Sequence, residues 1–285
     1  MSFLEFIRAP GVTDDKYSRG VVGFVAGSQK YPGAALLGIT AAMRTGVGMV
    51  RYLGPQQVSD LVIQARPETV LQDGRAQAWV VGSGVPADDA MQAPRIKALA
   101  ESKTLLVVDA GALPIIDFAN CTATCVLTPH AGEAAALLNK ALLDKMHTQA
   151  SAQQVTRADV EAEPVKFALL IATLTKQLTV LKGNQTVIAQ VSKDGTQRTY
   201  QFAPAPAVLA TAGSGDVLAG IIGALLAANA EAIGSGQADI FEIVKAAIEL
   251  QAQAAALAGE KSTVVALDIA EAVGHVIAAG QKGHV

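Results

Sequence analysis

With 22 Lys plus Arg against 25 Asp plus Glu, this 285-residue chain has a formal net charge of −3. That argues against binding duplex nucleic acid or anionic membranes through bulk positive charge, so any phosphate must be held locally. Hydrophobic residues make up 51% and charged residues 16%, which excludes long disorder and a charged coiled coil. Cys121 and Cys125 are the two cysteines, too few for a disulfide scaffold and without the His and Cys partners of a zinc site. The first eleven residues carry Glu5 and Arg8 within their apolar stretch, unlike a secretory signal. The apolar run over 217–228 is far shorter than the roughly 20 residues of a spanning helix. A reducing, cytoplasmic setting is expected.

In chain order, residues 21–26 read as a buried strand, 33–45 as a helix, and 47–53 and 78–81 as strands. Residues 88–102 read as helical, 104–108 as a strand ending at Asp109, and 125–128 as a strand ending at Pro129. Short β-branched runs between Ala-rich stretches predict parallel strands with helices on both faces, a class that binds ligands beyond the carboxyl ends of its strands. The polar stretch 139–163 predicts a surface excursion before a helix over 164–177. Strands over 178–181 and 186–191 are separated by Lys182, Gly183, Asn184 and Gln185, and Asp194-Gly195 is a hairpin-turn signal. An antiparallel ribbon is expected there. From Asp216 onward the pattern is helical, broken by a linker over 229–239 and again around 259–263. With no internal repeat or domain linker, one domain over 1–285 is expected.

The segment 209–228, LATAGSGDVLAGIIGALLAA, places Gly213, Ser214 and Gly215 directly before an apolar-periodic helix. Glycines there permit close backbone approach, and the free N–H groups of a first helical turn form an anion site with the helix dipole. Asp216 falls in the same turn, placed to take a proton from a hydroxyl beside that phosphate. An N-capping Asp after a flexible loop is the competing reading.

The GSGDVLAG string resembles the anion-hole and catalytic-Asp motif of the ribokinase-like superfamily. Other segments resemble the ADP-dependent (S)-NAD(P)H-hydrate dehydratases in the same order: KYSRG (16–20), GSQKYPGAA (27–35), RTGVGMV (44–50), VDAGAL (108–113), TPHAGE (128–133) and LKGNQTVI (181–188). The resemblance spans nearly the whole chain. It implies a three-layer α/β fold with a mostly parallel central sheet flanked by helices. It also implies repair of hydrated NADH or NADPH, with ADP converted to AMP and phosphate and magnesium screening the phosphates. By the same resemblance Asp216 is the base, and Lys182, Gly183, Asn184, Gln185, Thr186, Gly213, Ser214 and Gly215 bind the nucleotide. Ala34, Gly84, His130 and Asp216 contact the hydrate, and Glu133 orients magnesium through water, with helix capping or solvation as the plainer reading of Glu133. His147, His275 and His284 are expected at the surface and Trp79 in the core.

Three positions depart from the family pattern. Gly111 stands where a second acid is usual after Asp109, Ala212 where a further Gly is common, and Gly82-Ser83-Gly84-Val85-Pro86 is a reduced form of a Gly-rich loop. A small-alcohol kinase on the same scaffold is the alternative enzyme, since cradle and base serve both reactions, and a nucleotide-binding regulator is the non-enzymatic one. A homotetramer is implied by resemblance. A separate NAD(P)H-hydrate epimerase is expected as functional partner, because no epimerase domain precedes Lys16.

Overall fold

The structure is a computed structural model that describes residues 3–145, 154–260 and 263–283. Its elements run β1 (Val21–Val25), α1 (Pro32–Thr45), β2 (Met49–Tyr52), α2 (Gln56–Ala65), β3 (Ala78–Val81), α3 (Ala93–Ala100), β4 (Leu105–Val108), α4 (Ala112–Ile115) and β5 (Thr124–Leu127). There follow α5 (Ala131–Lys145), α6 (Arg157–Ala162), α7 (Pro164–Thr175), β6 (Leu178–Leu181), β7 (Val187–Val191) and β8 (Gln197–Gln201). The chain closes with α8 (Ser214–Ala228), α9 (Ala230–Gly234), α10 (Ile240–Gly259) and α11 (Ala266–Lys282).

All eight strands join one sheet in the order β2-β1-β3-β4-β5-β6-β7-β8. Pairing is parallel from β2 through β6, and β6–β7 and β7–β8 are antiparallel. Alternation along the strands sends successive side chains to opposite faces. Val22, Phe24, Val80, Val107 and Val126 pack against Ile39, Ile221, Ile243 and Ile269 of α1, α8, α10 and α11. Trp79, Val81, Leu106, Val108 and Leu127 pack against Ile96, Leu113, Leu138 and Ile171 of α3, α4, α5 and α7. The result is the three-layer arrangement that the resemblance implies, with a core on each face of the sheet.

Two glycine contacts set the position of α8. A Cβ on Gly220 would lie 2.2 Å from Gly38 O, so α1 and α8 cross backbone to backbone. One turn along, a Cβ on Gly38 would lie 3.3 Å from Asp216 O. Small residues at this crossing therefore hold the first turn of α8 against α1, beside the strand ends.

Several boundaries differ from those expected. The helix read over 88–102 is confined to α3, because Asp89 Oδ1 accepts the N–H groups of Met91 and Gln92, both at 2.9 Å, and closes a turn first. The polar stretch 139–163 is not simply a surface excursion: α5 continues through Lys145, and α6 starts at a capping box between Thr156 and Asp159. On α6 the exposed Arg157, Asp159 and Glu161 stand around the buried Val160, and residues 146–153 of that stretch lie outside the described residues. Asn139 exchanges two hydrogen bonds with the backbone of Val155, each 2.9 Å. The linker read over 229–239 contains the short α9.

Candidate active site

The carboxyl ends of β3, β4, β5 and β6 bring Ser83, Asp109, Thr128 and Lys182 to one point. Asp109, 2% exposed, accepts from Thr128 Oγ1 at 2.7 Å and Lys182 Nζ at 2.8 Å through one oxygen, and from Ser83 Oγ at 2.9 Å through the other. A buried ion pair is tolerated when its remaining lone pairs are satisfied in this way. The Lys182 backbone N–H is fixed to Pro129 O at 2.8 Å. Burial works to lower the Lys182 pKa, but the carboxylates of Asp109, Glu133 and Asp216 outweigh it and hold the ammonium above its ordinary value. Lys182 Nζ lies 3.1 Å from where a Cβ on Gly215 would sit. The ammonium thus rests on the first turn of α8, and Gly215 is what lets it.

Gly213 occupies the cap position of α8 with φ +92°, a left-handed conformation that favours glycine. A Cβ there would also meet Leu37 Cδ1 at 2.4 Å. No side chain caps this helix; the Ser214 N–H donates to Thr211 O at 3.3 Å, and the other N–H groups of the first turn are of the kind that can cradle an anion. Gln251, from α10, donates to Ser214 O at 2.6 Å and steadies the turn. Asp216 is the third helical residue, and the cap position belongs to Gly213, so the N-capping reading of Asp216 is set aside. Burial pushes the Asp216 carboxyl up to about 7, with Asp109 adding to the shift, Lys182 opposing it and Glu133 contributing less. A base that titrates near neutral pH is matched to proton abstraction there.

Beside this turn opens a cavity of about 960 Å³, lined by Lys182, Gly183, Asn184, Gln185 and Thr186 and by Gly213, Ser214 and Gly215. The structure thus gathers the whole expected nucleotide set around one space. The loop after β6 is held from behind: Ala205 N donates to Asn184 O at 2.8 Å and Phe202 N to Thr186 O at 2.9 Å. A Cβ on Gly183 would meet only Gln185 O, at 3.8 Å; room there is open toward a ligand. Three further contributors lack a motif of their own: Gln251, Thr211 and Arg157, all in the cavity wall.

His130 lines the same cavity and works with Glu133 at the start of α5. His130 Nδ1 accepts the N–H groups of Gly132 at 3.0 Å and Glu133 at 3.1 Å, and Glu133 Oε2 accepts the His130 N–H at 2.9 Å. This is a reciprocal cap in which the imidazole takes the part of the usual hydroxyl. Because Nδ1 is an acceptor, the neutral ring carries its proton on Nε2. Glu133 Oε1 stands 3.5 Å from that nitrogen.

Ala34 and Gly84 come together away from that cavity's lining. Gly84 has φ +66°, and a Cβ on it would lie 2.5 Å from Ala34 Cβ and 2.9 Å from Tyr31 O. His275 is exposed, Trp79 is buried, and His147 and His284 lie outside the described residues. Cys121 and Cys125 are free thiols with their Sγ atoms 3.5 Å apart. Among the described residues no three His, Cys, Asp or Glu side chains are gathered to ligate a metal directly, and no helix is long and apolar enough to cross a membrane.

The family model described as NAD(P)H-hydrate dehydratase matches residues 22–275. This chain belongs to that family. The ADP-dependent (S)-NAD(P)H-hydrate dehydratase of Xanthomonas campestris is 31% identical over 245 residues, covering 79% of this chain and 78% of its own. The bifunctional NAD(P)H-hydrate repair enzyme of Corynebacterium glutamicum is 35% identical over 231 residues, covering 76% of this chain but 37% of its own. The chain therefore spans less than half the length of such bifunctional relatives. In fold it matches the crystal structure of the ADP/ATP-dependent NAD(P)H-hydrate dehydratase of Bacillus subtilis, co-crystallized with ATP and Mg2+, with a TM-score of 0.76 at 24% identity over 96% of this chain and 94% of that one.

Against the pattern expected of this dehydratase family, the absent second acid has a steric cause here. A Cβ on Gly111 would lie 1.7 Å from Val85 O. With the loop after β3 folded down on it, no side chain fits at 111, and the site keeps Asp109 as its one acid at the end of β4.

Proposed function

We propose that this chain dehydrates the (S)-hydrate of NADH or NADPH at the expense of ADP, giving the reduced cofactor, AMP and phosphate. Residues 1–285 act in this reading as one ribokinase-like domain. The observation that carries it is Asp216 in the uncapped first turn of α8, with a carboxyl pushed up to about 7 and Lys182 laid against the same turn. ADP occupies the cavity between the loop after β6 and α8, its terminal phosphate on the N–H groups of residues 213–216. Lys182 and Thr186 donate to it, while Gly183, Asn184 and Gln185 border it. The hydrate lies against Ala34 and Gly84 and takes a hydrogen bond from His130 Nε2.

Asp216 removes the proton of the hydrate's hydroxyl, whose oxygen attacks the terminal phosphorus of ADP. An O–P bond forms as the bond to AMP breaks. The ester C–O bond then breaks with phosphate as leaving group, and the neighbouring ring carbon gives up a proton to restore the double bond. The cradle and Lys182 stabilise the charge that accumulates on the transferred group, where fixed donors contribute most. Magnesium, when bound with the nucleotide, screens phosphate charge. The residues present fit it as a hydrated ion, because among the described residues no three direct ligands are gathered and Glu133 keeps one oxygen turned from its capping bond. The same proposal includes a cytoplasmic location, a tetrameric assembly and an epimerase activity that supplies the (S)-form.

Incubating the protein with hydrate, Mg2+ and ADP or ATP tests this directly. Recovery of dihydronicotinamide absorbance with nucleotide, and none without it, is expected. Recovery without nucleotide overturns the mechanism. Phosphorylation of a small alcohol at far higher efficiency than hydrate repair gives the site to the kinase reading instead.

A further inference from the structure

We propose that Cys121 and Cys125 form a reversible thiol–disulfide site that takes a small-molecule disulfide: Cys121 attacks it, and Cys125 closes the bond within the chain. The reading goes beyond hydrate repair and does not depend on it. The two Sγ atoms lie 3.5 Å apart, and a disulfide brings them to about 2.05 Å. The pair stands at the amino end of β5, where Cys125 is the second strand residue. Thr128, which bonds Asp109, follows the carboxyl end of the same strand, roughly 10 Å further along. The thiols are therefore set apart from the proposed active site.

Their surroundings make the two sulfurs unequal. Cys125 is 1% exposed, pairs in register with Leu106 of β4, and its N–H donates to Gln177 Oε1 at 2.7 Å. A small-molecule disulfide does not reach it. Cys121 is partly exposed. It precedes the anchor of the strand entry, where the N–H groups of Thr122 and Ala123 donate to Ala100 O at 2.9 and 3.0 Å. Its own turn is closed by Asp117, which accepts the Ala119 N–H at 3.0 Å and the Asn120 amide at 2.7 Å. Asp117, Ala119 and Asn120 are exposed, so this turn is the part that shifts when the sulfurs close, while Cys125 stays fixed.

The same pairing activates the outer thiol. A hydrogen bond from the Cys125 thiol pulls the Cys121 pKa down to about 7, with burial and the Asp117 carboxylate opposing. The thiolate is the attacking species in disulfide exchange. Cys125 is held well above the ordinary thiol range, first by that hydrogen bond and then by burial, and stays protonated until Cys121 is used. Cys121 Sγ attacks one sulfur of R–S–S–R. A new S–S bond forms as the reagent's own breaks, and R–S− leaves with the electron pair and takes up the proton that Cys121 released. With Cys121 capped, the hydrogen bond that held Cys125 up is gone. Cys125 Sγ then attacks Cys121 Sγ, and the second R–S− departs and takes the Cys125 proton. Two electrons pass from the protein to the reagent, and two R–SH are released. Thiols of the same kind reverse the exchange, as suits a site in a reducing compartment.

Oxidised glutathione added to the full chain tests this, with free thiols counted after unfolding and the intact mass read. The wild type is expected to lose both thiols and two hydrogens and to carry no glutathione at the end. Added reduced glutathione in excess is expected to return both thiols. Cys125→Ser is expected to lose its one thiol and keep glutathione on Cys121. Cys121→Ser, which leaves the buried sulfur alone, is expected to react roughly tenfold more slowly or not at all. The wild-type arm needs no substitution and decides by itself should a variant fail to fold. A wild type that keeps both thiols, ends with glutathione on either cysteine, or links one chain to another overturns the proposal. So does a folded Cys121→Ser that reacts as fast as the wild type.

Discussion

Two helices begin beside the same cavity, and they begin in opposite ways. The start of α5 is closed by its own side chains, with His130 Nδ1 taking two N–H groups and Glu133 taking the His130 N–H. The start of α8 has no side-chain cap. Gly213 turns the chain in the left-handed region, and Lys182 is drawn in from β6 to lie against Gly215. A helix start closed by its own residues adds stability, whereas one left open adds a place for an anion. In the proposed mechanism the difference accounts for placing the base, Asp216, on α8, with His130 held in a fixed frame at the start of α5.

The largest expected effect comes from removing the base in the open turn. Asp216→Asn keeps size and polarity but cannot take the hydroxyl proton, and turnover is expected to fall about 100- to 10,000-fold, with ADP binding kept. Its stability sharpens the point. The Asp216 carboxyl titrates at about 7 when folded, against roughly 4 in an unfolded chain. Between those pH values the folded protein holds a proton that the unfolded chain has released. Stability therefore falls as pH rises from about 4 to 7 and stays low above. Asn lacks that loss, so the variant is expected to melt at or above the wild-type temperature at pH 8. A thermal scan with a turnover assay on one preparation reads both.

Lys182→Ala comes next. It is expected to weaken ADP by about 1–3 kcal/mol through loss of a charged hydrogen bond, and to destabilise the fold because Asp109 is left buried without its cation. Calorimetric titration with ADP checks the first and denaturant unfolding the second. Thr186→Ala should weaken ADP less and leave stability nearly unchanged.

Much of the site is legible from local pattern. The GSGD turn, the polar residues at strand ends and the glycine-bearing loop after β6 are contiguous in sequence, and backbone physics acts over the same few residues. What pattern does not reveal is long-range. Asp109 and Lys182 are 73 residues apart, Gln251 reaches Ser214 across 37, and Val85 blocks a side chain at 111 through a loop contact. None of these pairs has a periodicity to announce it. The misread stretch 139–163 fails for another reason: around α6 the exposed Arg157, Asp159 and Glu161 surround Val160, and one buried residue is too little to signal a helix.

Among the two helix starts, paired glycine substitutions are the next smaller probe. Gly213→Ala places a Cβ at φ +92° and against Leu37, at an expected cost of about 1–2 kcal/mol from the backbone alone. Gly132→Ala meets only the His130 ring, at 3.0 Å, and is expected to cost less. The smallest effect separates capping from substrate contact in one residue. His130→Ala removes the cap of α5 at about 0.5–2 kcal/mol, whereas Asn restores it. Hydrate KM should rise in both, because neither has the Nε2 donor. Recovery of KM along with stability in His130→Asn would reduce His130 to a capping residue.

The most direct measurement of the central claim, that Asp216 in the open turn of α8 is the base, is the pH dependence of kcat/KM for hydrate repair at saturating ADP and Mg2+. With the carboxyl pushed up to about 7, the rate should climb about tenfold per pH unit below that point and level off above it. The residual activity of Asp216→Asn should lack this limb. A profile flat from pH 5 to 8 in the wild type, or an unchanged limb in the variant, contradicts the account.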